Sequence, residues 1–194
     1  DFTTQKLLKF DESFYKKIVN YSELQGTEKI LDLGCGTGAF SIYLKQKFKT
    51  IDLTSVDGSD LMIKILNKKI TKNKLSVNTL KGFAENLPYE DNTFDVIYAI
   101  FLFSYIPPTI KPSALKEINR VLKSNGKLVI IDIEEQYGLK KGWNLFKYIS
   151  NPFFIEEGLN GEYLKLLDNA EFKNIIYHPG KHQWIDIPFI IAEK

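Results

Sequence analysis

The chain has 194 residues, 44% apolar and 26% charged, with 26 Lys and Arg set against 24 Asp and Glu. That length suits one domain with a substantial core, and the interspersed charges neither demand nor forbid a nucleic-acid partner. No apolar run reaches the roughly 20 residues of a membrane span, no secretory pattern opens the chain, and one cysteine (Cys35) with two histidines supplies neither a disulfide nor a metal-ligand set, so the expectation is cytoplasmic.

In chain order, Phe14, Tyr15, Ile18 and Val19 predict an N-terminal helix folding over a sheet edge. From residue 28 to 133, short β-branched runs then alternate with helical patterns, the signature of βαβ units and a mostly parallel sheet. The predicted strands cover residues 29–34, 50–58, 75–82, 93–100 and 126–133. Between them, Phe40, Leu44 and Phe48 define one helix stripe, and Met62, Ile65, Leu66 and Ile70 another, behind a capping Ser59. A further helix opens with Pro112 in its first turn, carries Leu115, Ile118 and Leu122 inward, and stops at Gly126.

Residues 134–157 break this rhythm with glycines and Pro152 among aromatics, and read as a lid or substrate-side insertion. The tail resumes with a helix near residues 162–170 and two strand-like runs, the second holding Pro188 and therefore bulged or at an edge. His178 and His182 fall between those runs, in what reads as a solvated hairpin.

The stretch "ILDLGCGTGAF" concentrates the chemistry. Glycines at 34, 36 and 38 leave backbone bare where a strand hands over to a helix, whose free N–H groups point into the same crevice. The spacing is G-x-G-x-G, one residue shorter than the dinucleotide fingerprint, and Asp32 just before it suits a cationic amine and repels phosphate. At the end of the second strand Asp57 can accept both hydroxyls of a ribose, and Ala84 with Glu85 lie on a loop bounding the same crevice. The bland alternative is a strand end and a tight turn with no ligand.

Four stretches in this order, "ILDLGCGTGAF", "SVDGSDLM", "GFAENLPYEDNTFDVIYAIFLFSYI" and "ALKEINRVLKSNGKLVIID", resemble the class I S-adenosylmethionine-dependent methyltransferases over about residues 28–133. The resemblance implies a Rossmann-like, doubly wound α/β fold with a mostly parallel seven-stranded sheet, the last strand antiparallel, and helices on both faces. It frames residues 1–27 as a helical cap, 28–133 as the cofactor-binding core and 158–194 as a closing helix and strand pair, all in one domain. It also implies S-adenosylmethionine as cofactor and S-adenosylhomocysteine as product. Gly34, Cys35, Gly36 and Gly38 would line the methionine part, with Asp32 near its amino group. Asp57 would hold the ribose, bordered by Gly58, Ser59 and Met62. Ala84 and Glu85 would flank the adenine, and Ala99 and Ile100 would close the site below the sulfonium.

Two positions depart from the family. Phe83 stands where many relatives carry an acid that bonds the adenine amino group, and Ser104 with Tyr105 stand where many carry paired histidines. Tyr105 is then either a base or orienting group for an acceptor, or a packed wall residue; Phe103, Tyr137 and Trp143 are further substrate-side candidates. Methyl transfer to an O, N, S or C nucleophile is an in-line displacement that alignment alone accelerates strongly, so no catalytic side chain is assigned. The chain lacks the Asn/Asp-Pro-Pro-aromatic pattern of nucleic-acid amino methyltransferases and a spare cysteine for attack on pyrimidines. These absences point to a small-molecule acceptor, with protein and RNA acceptors left open. The rival classes are a catalytically silent, partner-binding subunit and a nucleotide-dependent dehydrogenase.

Overall fold

The computed structural model describes residues 10–132, 161–182 and 185–194, with side chains placed at all of these but 161–162, 181–182 and 185–186. The elements are α1 Glu12–Ser22, β1 Lys29–Leu33, α2 Ala39–Lys47, β2 Asp52–Asp57, α3 Asp60–Asn73, β3 Asn78–Lys81 and β4 Phe94–Ile100. A one-turn 3-10 helix, Phe103–Tyr105, then leads to α4 Lys111–Val121, β5 Leu122–Ile131, α5 Gly161–Asn169, β6 Lys173–His178, β7 Lys181–His182, β8 Ile185–Asp186 and β9 Phe189–Glu193. The expected insertion at 134–157 lies outside the described residues.

The main sheet runs β3-β2-β1-β4-β5-β9-β6. Its first five strands pair in parallel, and β9 runs antiparallel to both β5 and β6. This is the doubly wound order with a reversed last strand that the resemblance implied. Apolar side chains on both faces make the central strands nearly continuous hydrophobic runs, as strands covered on two sides require. One core packs Leu31, Leu33, Ile97 and Ala99 against Ala114, Leu115 and Ile118 of α4 and Leu167 of α5. The other packs Ile30, Val96, Tyr98 and Val129 against Phe14, Ile18 and Val19 of α1 and Phe40 and Leu44 of α2.

Helix α1 begins where Asp11 accepts a hydrogen bond from the Phe14 N–H at 3.1 Å, an N-cap. It covers a sheet face, contrary to the expected edge. The reason is polar as well as apolar: Ser22 Oγ donates to the Val19 carbonyl and is hydrogen-bonded to the hydroxyl of buried Tyr98, in the middle of β4. A buried phenol needs such a partner, and only the face of the sheet offers it.

Three further expectations change. Helix α4 ends at Val121, not Gly126, because the carbonyls of Arg120 and Val121 accept from Asn92 and Thr93 N–H groups entering β4, and Lys194 Nζ reaches the Leu122 carbonyl at 2.8 Å. Leu122 is buried as expected, but as the first residue of β5. Pro188 precedes β9, which lies inside the sheet; the edge on that side is β6, where Ile176 and Tyr177 are exposed. His178, at the end of β6, stacks on Tyr21 with ring centroids 4.5 Å apart.

Candidate active site

The strand order reverses between β1 and β4, so the chain leaves their carboxyl ends in opposite directions and opens a crevice there. The crevice is a cleft of about 900 Å3, lined from β1, β2, β4, the loops after β3 and β4, and α1. Asp32, Gly34, Cys35, Gly36, Asp57, Gly58, Ser59, Met62, Ala84, Glu85, Ile100 and Tyr105 all line it. Residues separated by more than 70 positions are thereby brought to one cleft.

Three expected residues do not line the cleft. Gly38 caps α2 from a left-handed conformation (φ 76°), and a Cβ there would collide with Leu66 of α3, so its bareness serves helix packing. Ala99 is fully buried in the α4-side core; one residue later Ile100 faces the cleft, because side chains alternate along a strand. Phe103 is buried edge-on against Tyr163, with centroids 5.4 Å apart, while Tyr105 from the same turn lines the cleft. Tyr137 and Trp143 lie outside the described residues.

The glycine loop is built on β2. Gly34 and Cys35 N–H groups both donate to the Val56 carbonyl, at 2.8 and 3.0 Å. Asp57 Oδ2 accepts the Gly36 N–H at 2.8 Å, and Oδ1 accepts the Ser59 N–H at 2.9 Å. Gly36, at φ 54°, has nothing within 4 Å of where a Cβ would stand, so its open side is the cleft itself. Ser59 caps α3 through its backbone; its side chain makes no capping bond.

Asp32 is only 1% exposed. Its Oδ2 accepts from Ser41 Oγ, and Ser55 Oγ in turn donates to Ser41 Oγ at 2.9 Å. No lysine or arginine pairs with it among the described residues. Burial, helped by the Asp57 charge and opposed by the Ser41 hydrogen bond, raises its carboxyl to about 7. A buried acid with no counter-ion is poised to receive a cation. The Tyr15 phenol, also on the cleft, is pushed up to about 12 by burial and then by Asp32, so it stays protonated at neutral pH. Burial first, then Asp32 and Asp57, pushes the Cys35 thiol well up, which makes it inert packing at the loop and not a nucleophile.

The opposite wall is aromatic and apolar. Phe10 stacks on Phe14 at 4.3 Å and on Phe101 at 5.1 Å, and Ile106, Pro107 and Ile110 extend the surface beside Tyr105. Phe101 holds φ 54°, which costs a bulky residue about 1–2 kcal/mol, with its N–H donating to the Ile131 carbonyl at 2.7 Å. Strain of this kind at a strand end aims a ring into the cleft. Ser104 fixes the turn that presents Tyr105, giving both its N–H and its Oγ to buried Asp132. Sequence reasoning missed the contribution of Phe10, Phe14 and Tyr15; the aromatic spacing in α1 was the available signal.

A family model described as a methyltransferase domain matches residues 30–126. A demethylmenaquinone methyltransferase of Thermotoga maritima is 34% identical over 123 residues, 63% of this chain and 51% of the relative. An uncharacterized methyltransferase of Staphylococcus carnosus is 30% identical over 169 residues, 83% of this chain and 77% of the relative. The chain thus spans about half the length of the first of these. In fold it is similar to a solved SAM-dependent methyltransferase from Aquifex aeolicus, with TM-score 0.76 and 23% identity over 97% of this chain and 92% of that one.

Proposed function

The chain belongs to the class I S-adenosylmethionine-dependent methyltransferase family, and we propose that it binds this cofactor in the cleft and passes its methyl group to a small, apolar or aromatic acceptor. The observation that carries the reading is the pair of carboxylates, Asp32 and Asp57, lining one cleft with a bare Gly36 that Asp57 holds. An amino-acid-bearing nucleoside with a cationic amine and two ribose hydroxyls matches that donor set. A phosphate does not.

The residues present fit the group. Asp57 spends two of its roughly four acceptor sites on Gly36 and Ser59, leaving two for hydroxyl donors. Asp32 gains a cation that no described lysine or arginine supplies, and Gly36 gives backbone room for the chain between amine and ribose. When bound, the sulfonium supplies an electrophilic methyl group and a good leaving thioether.

The protein's part is placement. The Phe10–Phe14–Phe101 stack and the Ile106–Ile110 surface exclude water and accept a planar or apolar molecule. Tyr105, which lines the cleft, would orient a polar atom of that molecule by a hydrogen bond. A quinone-like acceptor, named for the Thermotoga relative, is of the type this wall fits.

Titration calorimetry with S-adenosylmethionine and S-adenosylhomocysteine tests the reading. One-to-one binding of both supports it; no binding of either overturns it.

A further inference from the structure

Phe83 is 58% exposed, yet it lines the cleft. Its loop is fixed to the end of β2: the Gly82 N–H donates to the Asp57 carbonyl at 3.1 Å, and the Asn86 N–H closes the turn on the Phe83 carbonyl at 3.2 Å. One side of its ring presses on Gly58, where an added Cβ would stand 3.0 Å from Cε1 and 3.2 Å from Cδ1. An aromatic ring braced by backbone on one side and open on the other is a platform, because an apolar surface of that size gains most when a flat partner covers it.

Connectivity says what covers it. A nucleoside's two arms leave the ribose in opposite directions. If the amine-bearing arm runs from Asp57 toward Gly36 and Asp32, the base must leave toward Gly58 and Phe83. The cleft residues at that end, Gly58, Ser59, Met62, Phe83, Ala84 and Glu85, offer one acidic side chain only, Glu85, and it is solvent-exposed. Hydrogen bonds to an exposed carboxylate discriminate weakly, since water competes for both partners. Stacking is tolerant of base identity, because every base has a π-face.

Resting on the cofactor reading above, we propose that Phe83 binds the purine by stacking and that this chain thereby tolerates changes at the purine 6-position.

The test is calorimetry with S-adenosylhomocysteine and its 6-oxo counterpart, S-inosylhomocysteine, on the wild-type chain and on Phe83→Ala, Phe83→Trp and Glu85→Gln. Wild type should bind the two ligands within about fivefold of each other, and Phe83→Ala should weaken both by about tenfold or more, as loss of a base-stacking ring does. Phe83→Trp should retain both affinities, and Glu85→Gln should leave their ratio unchanged. Thermal unfolding of Phe83→Ala should match wild type, because the ring is mostly exposed. An unchanged affinity in Phe83→Ala, or a strong wild-type preference for adenine, overturns this inference while leaving the cofactor assignment standing. No binding of either ligand by wild type overturns both.

Discussion

Asp57 holds the glycine loop with its own side chain. Its Oδ2 accepts the Gly36 N–H at 2.8 Å across 21 residues of sequence, while Oδ1 fixes the Ser59 N–H that starts α3. The same carboxylate that is proposed to meet the ribose therefore also shapes the crevice that receives it, and its loss should be felt in both binding and stability.

Asp57→Ala removes two charge-assisted hydrogen bonds and the ribose acceptor together. Each bond to a charged group contributes about 1.5–3 kcal/mol, so S-adenosylhomocysteine affinity should fall by about 10- to 100-fold or more. Thermal unfolding should move down as well. Asp57→Asn keeps the shape but turns one acceptor into a donor, and should fall between wild type and Ala in both measurements.

Asp32 predicts two pH dependences of opposite sense. Its carboxyl stands near 7 in the folded chain and near its ordinary value, about 3.9, in the unfolded one, so between those values the folded state binds the extra proton. Its contribution to stability is fully present below about pH 4 and is lost as pH rises to about 7, at up to about 1.4 kcal/mol per pH unit. Glu117, held below its ordinary range by the hydrogen bond from Arg120, acts in the other direction, so the readout is wild type minus Asp32→Asn in urea unfolding from pH 4 to 8. Ligand affinity should rise with pH up to about 7 and then level off, because a cationic amine needs the ionised carboxylate; Asp32→Asn should abolish that rise.

The glycines at 36 and 38 should respond differently to the same substitution. Alanine at either position takes on a left-handed φ, at about 1–2 kcal/mol. Gly38→Ala also drives a methyl into Leu66, adding about 1–3 kcal/mol of overpacking. Gly36→Ala places its methyl in the open cleft, so it should lose ligand affinity with the smaller loss of stability. Urea unfolding paired with calorimetry separates the two.

These contrasts mark how far the sequence was legible. That Asp32, Asp57 and Gly36 would line one crevice could be read directly, because bare backbone and acids at the carboxyl ends of parallel strands face the opening there. The sheet order and the reversed β9 followed from the resemblance those motifs carry. Gly38 could not be told from Gly36, since its reason is Leu66, 28 residues away. The parity that puts Ile100 on the cleft and Ala99 in the core depends on how β4 enters the sheet. The end of α4 is set by N–H groups of Asn92 and Thr93 and by Lys194, none of them local. The seat of α1 rests on Ser22 finding Tyr98, 76 residues on. Long-range partners decided each case, and local pattern does not contain them.

The most direct measurement is a crystal structure of the chain with S-adenosylhomocysteine. The ribose hydroxyls should lie on Asp57, the amine beside Asp32 and the purine against Phe83, with the sulfur facing the Phe101 and Tyr105 wall. A ligand seated elsewhere, or one whose ribose makes no contact with Asp57, would contradict it.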